Sequence, residues 1–164
     1  MLIRLAKRED LTSIVEIYNQ AIETKMSTAD LEPIDVNSRL EWYDQHSPEQ
    51  YPIFVAEVDH QVVGWISLSA YRPGRAALRF TKEVSYYVHQ EYQGQGIGSK
   101  MLEFVIQESP KLQTKSLFAI IMEQNTPSIK LLKKFNFEPW GFLPNIAEYD
   151  GIEFGQFYYG LRVS

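Results

Sequence analysis

The chain has 164 residues, 45% of them apolar and 23% charged, with no cysteine and a formal net charge of −5. That length and composition suit one globular domain over residues 1–164 with a full hydrophobic core, and the lack of cysteine excludes disulfides and thiolate metal sites. Residues 72–134 carry 10 basic and 5 acidic side chains inside an otherwise acidic chain, which argues against a nucleic-acid binder and suits a local site for a small anion.

The opening MLIRLAKRED turns charged where the apolar part of a signal peptide would begin. No apolar run approaches ~18 residues, so no membrane partner is expected and a cytoplasmic location is the default. LIRLA reads as a short first strand. From Glu9 the pattern turns helical, with Leu11, Ile14, Val15, Tyr18, Ala21 and Ile22 at three- and four-residue spacings. TKMSTADLEP is a loop, and DVNSRLEWYDQH a second helix with Asp35 as its candidate N-cap. YPIFVAEV and QVVGWISLSAY flank Asp59 and His60 as a hairpin. RPGRAALR is a loop and FTKEVSYYV a strand. GSKMLEFVIQES is helical, with Met101, Leu102, Val105 and Ile106 on its apolar face. SLFAIIM is continuously apolar, as buried strands are. NTPSIKLLKKFNF is a helix with Pro127 in its first turn, where a missing N–H costs little. Strands around EPWGFL and EFGQFYYGLRV complete an α+β, or mixed α/β, chain in the order β-α-α-β-β-β-α-β-α-β-β.

Between the strand ending near Val88 and the helix beginning near Ile97 lies QGQGIGS, with Gly94, Gly96 and Gly98 at alternate positions. Three glycines in five residues are a poor choice inside a regular element. At a helix entrance they expose backbone N–H groups that have no internal partner and carry the positive end of the helix dipole. The physical reading is a phosphate or pyrophosphate cradle. It is not a P-loop, because Gly98 is followed by Ser99 and Lys100 rather than Lys and Ser/Thr. A dinucleotide fingerprint also fails, since it needs glycine where Ser99 or Met101 stands. His46, His60 and His89 are dispersed and form no metal-ligand pattern, so no metal is expected.

The remaining pattern, Gln93-x-x-Gly96-x-Gly98 between a strand and a helix, resembles the Gln/Arg-x-x-Gly-x-Gly/Ala motif of the Gcn5-related N-acetyltransferase (GNAT) superfamily. Asn125-Thr126-Pro127-Ser128 followed by LLKKFNF resembles that superfamily's Asn-x-x-Ala/Ser segment and closing Gly-Phe, with Asn136 in place of the glycine. IRLAKREDL, IYNQAI, GWISLS, KEVSYYV and AEYDGIEFGQFYYGLRV are similar to the branch that holds phosphinothricin and L-amino-acid N-acetyltransferases. The resemblance spans nearly the whole chain.

It implies a central, mostly antiparallel twisted sheet whose fourth and fifth strands splay apart, flanked by about four helices. It implies acetyl-CoA as co-substrate. Its pantetheine arm would bond to the backbone of Tyr86, Tyr87 and Val88. Its pyrophosphate would lie on Gln93, Gly94, Gln95, Gly96, Ile97, Gly98 and Ser99. Asn125 and Ser128 would reach the pantetheine, and Lys134 the 3′-phosphate.

The implied reaction is acetyl transfer to the primary amine of a small molecule, an amino acid or an analogue such as phosphinothricin or methionine sulfoximine. A non-catalytic acyl-CoA-binding module and a protein or peptide N-acetyltransferase are the alternatives. Glu83 matches the branch's catalytic glutamate, and a carboxylate partly desolvated in a strand gains basicity; the competing reading is a surface carboxylate paired with Arg79 or Lys82. Arg75 and Arg79, with Arg72 beside them, suit a substrate carboxylate. Glu23 and Met26 stand where an acceptor pocket could form. Many members carry a tyrosine on the last helix to protonate the leaving thiolate. Leu132 holds that position here, so no residue inherits the role: the thiolate would leave unassisted, its conjugate acid having a pKa of ~8.5 as an ordinary thiol does, or the proton would come from water or another of the ten tyrosines. A homodimer is implied by the branch, with FGQFYY as either an interface or a core strand.

Overall fold

The computed structural model describes residues 1–164. Its elements follow the expected order: β1 (Leu2–Leu5), α1 (Leu11–Glu23), α2 (Leu40–Asp44), β2 (Ile53–Val58), β3 (Gln61–Ala70), β4 (Thr81–Val88), α3 (Ile97–Glu108), β5 (Ser116–Met122), α4 (Thr126–Lys134), β6 (Glu138–Tyr149) and β7 (Ile152–Arg162). The seven strands form one sheet in the order β1-β2-β3-β4-β5-β7-β6. Every neighbouring pair is antiparallel except β4 and β5, which run parallel.

Each face of the sheet carries its own core. Phe54, Ile66, Leu68 and Val84 meet Ile97, Met101, Leu102 and Val105 of α3 and Leu132 of α4. On the other face Val55 and Trp65 meet Leu11, Ile14, Ile17, Tyr18 and Ile22 of α1. The three- and four-residue spacing of the α1 set puts all five on one stripe, as an amphipathic helix requires. Ahead of α1, Asp10 accepts two hydrogen bonds from the Arg4 guanidinium, at 2.7 and 3.0 Å, and one from the Lys7 N–H at 2.7 Å. Burial pushes this carboxyl up, but those partners outweigh it and hold Asp10 below the usual carboxylate range.

The second helix is shorter than its pattern suggests. Asn37–Arg39 form a 3-10 turn and only Leu40–Asp44 are α-helical. Asp35 does cap this segment, its Oδ1 accepting from the Ser38 N–H at 2.8 Å. Asp59 and His60 both adopt positive φ, 48° and 64°, the backbone of a tight hairpin turn. The sixth strand runs six residues past EPWGFL to Tyr149. Its extra length is held by β7, with Asp150 and Gly151 at positive φ in the connecting turn.

The parallel seam positions the site. β4 pairs with β3 from Lys82 opposite Ala70 to Val88 opposite Gly64. It pairs with β5 only at Thr81, Lys82 and Glu83. Beyond Glu83 the two strands part, each still held by its outer neighbour, and the sheet opens into a V.

Candidate active site

The V leads into a cleft of about 440 Å³. Val84, Ser85, Tyr86, Tyr87 and Val88 form one wall, and Ile120 and Ile121 of β5 the other. Asn125, Pro127, Ser128 and Leu131 of the α4 region close one side. Gln93, Gly94, Gly96, Ile97, Gly98 and Ser99 form the mouth, and Ala21, Thr24, Met26 and Ser27 overhang from the end of α1.

At the mouth, the N–H groups of Gly96, Ile97, Gly98 and Ser99 donate to no acceptor in the protein, the first helical bond being Lys100 N–H to Gly96 O at 3.0 Å. Gly96 caps the helix at φ 81°, a left-handed backbone that disfavours a side chain. Gly98 serves differently: a Cβ there would come within 3.3 Å of Leu131 Cδ2, so its bareness lets α3 close on α4. Four aimed N–H groups on the end of a twelve-residue helix make a seat for an anion. Lys134 adds a cation beside it, its Nζ 3.4 Å from Ser99 Oγ. Gln95 turns away from the cleft, its side-chain amide donating to Glu91 O at 3.2 Å.

Asn125 is 9% exposed and caps α4, its Oδ1 accepting from the Ser128 N–H at 3.3 Å. The cap leaves the side-chain amide nitrogen without a protein partner at the cleft wall. Tyr86 reaches from β4 to α4, with its hydroxyl 2.6 Å from Ser128 Oγ. Leu132 is fully buried in the core. Tyr87 lies on the opposite face, edge-on to Tyr18 and beside Trp65, and donates to Ser27 O at 3.5 Å.

Glu83 is the last β4 residue paired with β5, at the vertex of the V. Strand alternation puts it on the face of Tyr87 and Trp65. Neither expected cation pairs with it. Arg79 donates to Ala76 O at 2.9 Å and lies over the Phe80 ring. Lys82 is 2% exposed and points to the other face, where it donates to Gln50 O and, at 2.7 Å, to Leu112 O. Burial alone therefore acts on the Glu83 carboxyl and raises its pKa; it lowers the Lys82 ammonium to about 8.

The structure thus brings together Tyr86, Tyr87, Val88, Gln93, Gly94, Gly96, Ile97, Gly98, Ser99, Asn125 and Ser128 around one cleft; Glu83 at the vertex and Lys134 beside Ser99 stand next to it and do not line it. Arg72, Arg75 and Arg79 are exposed on the β3–β4 connection and do not line the cleft. Met26 lines it and Glu23 does not. Ala21, Thr24, Ser27, Ile120 and Ile121 carried no sequence signal, because a helix end and an apolar strand look the same with or without a cleft beside them. No group of three or more His, Asp or Glu could hold a metal ion, and no helix is long and apolar enough to cross a membrane.

A free-edged strand, a bare helix mouth and an apolar V fit an acyl-CoA: diphosphate at the N–H groups, peptide-like arm along the unpaired backbone. The profile of the Acetyltransferase (GNAT) family matches residues 11–137. The chain is 42% identical over 92% of its length, and 92% of the relative's, to YwnH of Bacillus subtilis, provisionally assigned as a phosphinothricin acetyltransferase. It is 33% identical to the L-methionine sulfoximine/L-methionine sulfone acetyltransferase of Salmonella typhimurium, over 95% of this chain and 88% of that one. The structure of a GNAT superfamily phosphinothricin acetyltransferase from Sinorhizobium meliloti, in complex with acetyl-CoA, superposes with a TM-score of 0.92 at 26% identity, over 98% of this chain and 87% of that one. The chain belongs to the GNAT family of acetyltransferases and is an N-acetyltransferase that draws its acetyl group from acetyl-CoA.

Proposed function

We propose that the protein acetylates the α-amine of a free amino acid or of a close analogue such as methionine sulfoximine or phosphinothricin. The cleft carries this reading: it has a seat for a diphosphate at its mouth, and next to its lining, at the vertex of the V, stands Glu83, a carboxylate with no cation paired to it. The names of its relatives support the acceptor class.

In this reading the mouth from Gln93 to Ser99 holds the pyrophosphate, with Lys134 near the 3′-phosphate. The backbone of Tyr86, Tyr87 and Val88 holds the pantetheine, and Asn125 its amide end. Glu83 takes the proton that the acceptor's ammonium must lose before its nitrogen can attack. Arg75 and Arg79 are exposed on the loop before β4 and would swing to pair the acceptor's carboxylate. The protein works in the cytoplasm as a homodimer, joined through the β6–β7 edge, where Trp140, Phe142, Ile146 and Ile152 are 44–59% exposed.

The test is calorimetry with acetyl-CoA, followed by a thiol-release assay on amino acids, their sulfoximine and phosphinate analogues, simple amines and peptides. Micromolar binding with turnover on the first two groups is expected. Turnover on peptides alone would replace the acceptor class, and binding without release on any acceptor would leave a non-catalytic acyl-CoA binder.

A further inference from the structure

Acetyl transfer leaves a thiolate behind, and the position from which many relatives handle it is closed here, because Leu132 is fully buried in the core between α4 and the sheet. Another phenol reaches the same helix. Ser128 lies one helical turn before Leu132, on the same stripe of α4. Tyr86 crosses to it from β4, with 2.6 Å between the two hydroxyl oxygens. Both residues line the cleft.

The two faces of the sheet divide the chemistry. Glu83 and Tyr86 are three residues apart on β4, so their side chains emerge on opposite faces, about 10 Å apart along the strand. The V opens between those faces from Glu83 onward. An amine approaching on the Glu83 side attacks one side of a thioester lying in the gap. In that arrangement the sulfur would depart toward the α4 side.

We infer that the Tyr86 hydroxyl donates a hydrogen bond to the departing sulfur, with the Ser128 hydroxyl orienting and polarising it, in place of the helix tyrosine the chain lacks. This rests on the acetyl-transfer reading above. The nitrogen forms its bond to the acetyl carbon, the carbon–sulfur bond breaks, and that electron pair leaves on sulfur. The nitrogen gives up two protons, one before attack and one after, through Glu83 to solvent; the thiolate takes one back from solvent.

Tyr86 keeps its own proton throughout. Burial pushes its phenol up to about 12, against the smaller opposing effect of Ser128, whereas an ordinary thiol titrates near ~8.5. Full transfer to sulfur would be uphill by several pH units, and a held hydrogen bond would not. Ser128 donates to Tyr86 Oη and Tyr86 donates onward, so each bond strengthens the next. The N-cap contact from Asn125 Oδ1 to the Ser128 N–H fixes the base of this chain.

The test is Tyr86→Phe, which keeps the ring in the core and removes only the hydroxyl, with Ser128→Ala as the second variant. Loss of one donor to a developing anion typically costs about 10²–10³-fold, and a thiolate leaves more readily than an alkoxide, so kcat should fall about 10- to 100-fold in Tyr86→Phe. Ser128→Ala should lose less, about two- to tenfold, because the phenol remains. Affinity for acetyl-CoA should hold within about threefold, since the binding backbone is untouched.

A second readout needs no turnover. In a pH titration of bound coenzyme A, followed by the ultraviolet absorbance of its thiolate, the wild-type thiol should ionise below the ~8.5 of a free thiol. Tyr86→Phe should move it back up, and Ser128→Ala part of the way. If kcat and the bound-thiol titration in Tyr86→Phe both stay at wild-type values while wild type binds and turns over, this inference fails and the enzyme assignment stands. If wild type binds no acetyl-CoA, both fall together. Should Tyr86→Phe not fold, an unchanged thiol titration in Ser128→Ala overturns the inference on its own.

Discussion

Glu83 and Lys82 are adjacent in sequence, yet they face opposite sides of the sheet and have opposite fates. Lys82 spends its charge on two loop carbonyls, Gln50 O and Leu112 O, and on the face of Tyr51. Glu83 has no cation and is left with burial alone, which raises its pKa. A carboxyl raised in the folded state is protonated over a wider range than in the unfolded chain. Its contribution to stability is therefore present at low pH and falls as pH rises through the folded pKa. For activity the sign is opposite, because only the ionised form accepts a proton. The kcat/KM of wild type should rise with pH along a limb whose midpoint lies above the 4.5 of an ordinary glutamate. Glu83→Gln should keep acetyl-CoA affinity, lose about 10²–10⁴-fold in kcat/KM, as general-base removal does, and flatten that limb. A limb that persists in the variant, with turnover unchanged, would belong to the acceptor's own ammonium and remove Glu83 from the reaction.

At the scale of elements, the mouth of α3 depends on a left-handed residue at Gly96 with open space around it, since an added Cβ there meets nothing within 4 Å. Gly96→Ala thus isolates backbone strain from crowding. It should destabilise the fold by about 1–2 kcal/mol in urea unfolding, the usual cost of a left-handed alanine. Acetyl-CoA affinity should drop about tenfold as the N–H groups of Gly96, Ile97 and Gly98 lose their aim. Wild-type affinity in a folded variant would separate this helix end from the cofactor. The glycines, Asp59-His60 and the stripe of α1 were legible because each is a local signal, written within one turn of chain. The short α2 was not: DVNSRLEWYDQH carries a helical pattern, but Leu40, Trp42 and Tyr43 pack only at the edge of the α1 core, and two turns of helix have little propensity of their own to lean on. Glu83 is a candidate on its motif alone. Its freedom from Arg79 and Lys82 could not be read there, because that depends on which face each side chain takes. Nor could the meeting of Tyr86 with Ser128, which lie 42 residues apart and touch only because β4 and α4 flank the same V.

Over the whole molecule, the splay of β4 from β5 beyond Glu83 turns a continuous sheet into one with a cleft between two of its strands. The end of α1 and the loop after it overhang the cleft through Thr24, Met26 and Ser27. Tyr149 of β6 donates to Thr28 O at 2.7 Å, Gln124 to Lys25 O at 3.2 Å, and Lys25 pairs with Asp150 in the β6–β7 turn. The β6–β7 hairpin is thus fastened at its turn to the loop after α1, while its outer strand has no neighbour and exposes apolar side chains. Trp140 covers Gly160 and Phe142 covers Gly155, each where a Cβ would collide, so these two rings are partly spent on their own hairpin. Ile146 and Ile152, 51% and 59% exposed, are not. An edge strand of twelve residues with such a face is a liability for a lone chain and a ready seam for a second copy. Sedimentation should give twice the 19.1 kDa chain mass. Ile146→Glu with Ile152→Glu should return it to one chain with its circular dichroism unchanged, because a like-charged edge opposes its own copy across a twofold axis. Acetyl-CoA binding should survive in that monomer, whose cleft is built within one chain. Turnover should fall, if the paired hairpins are what hold the loop from Thr24 to Asp30 in place. Wild type sedimenting as a single chain at working concentration would remove the dimer and leave the loop after α1 to contacts within one chain, Tyr149 to Thr28 and Tyr18 to Thr28 among them.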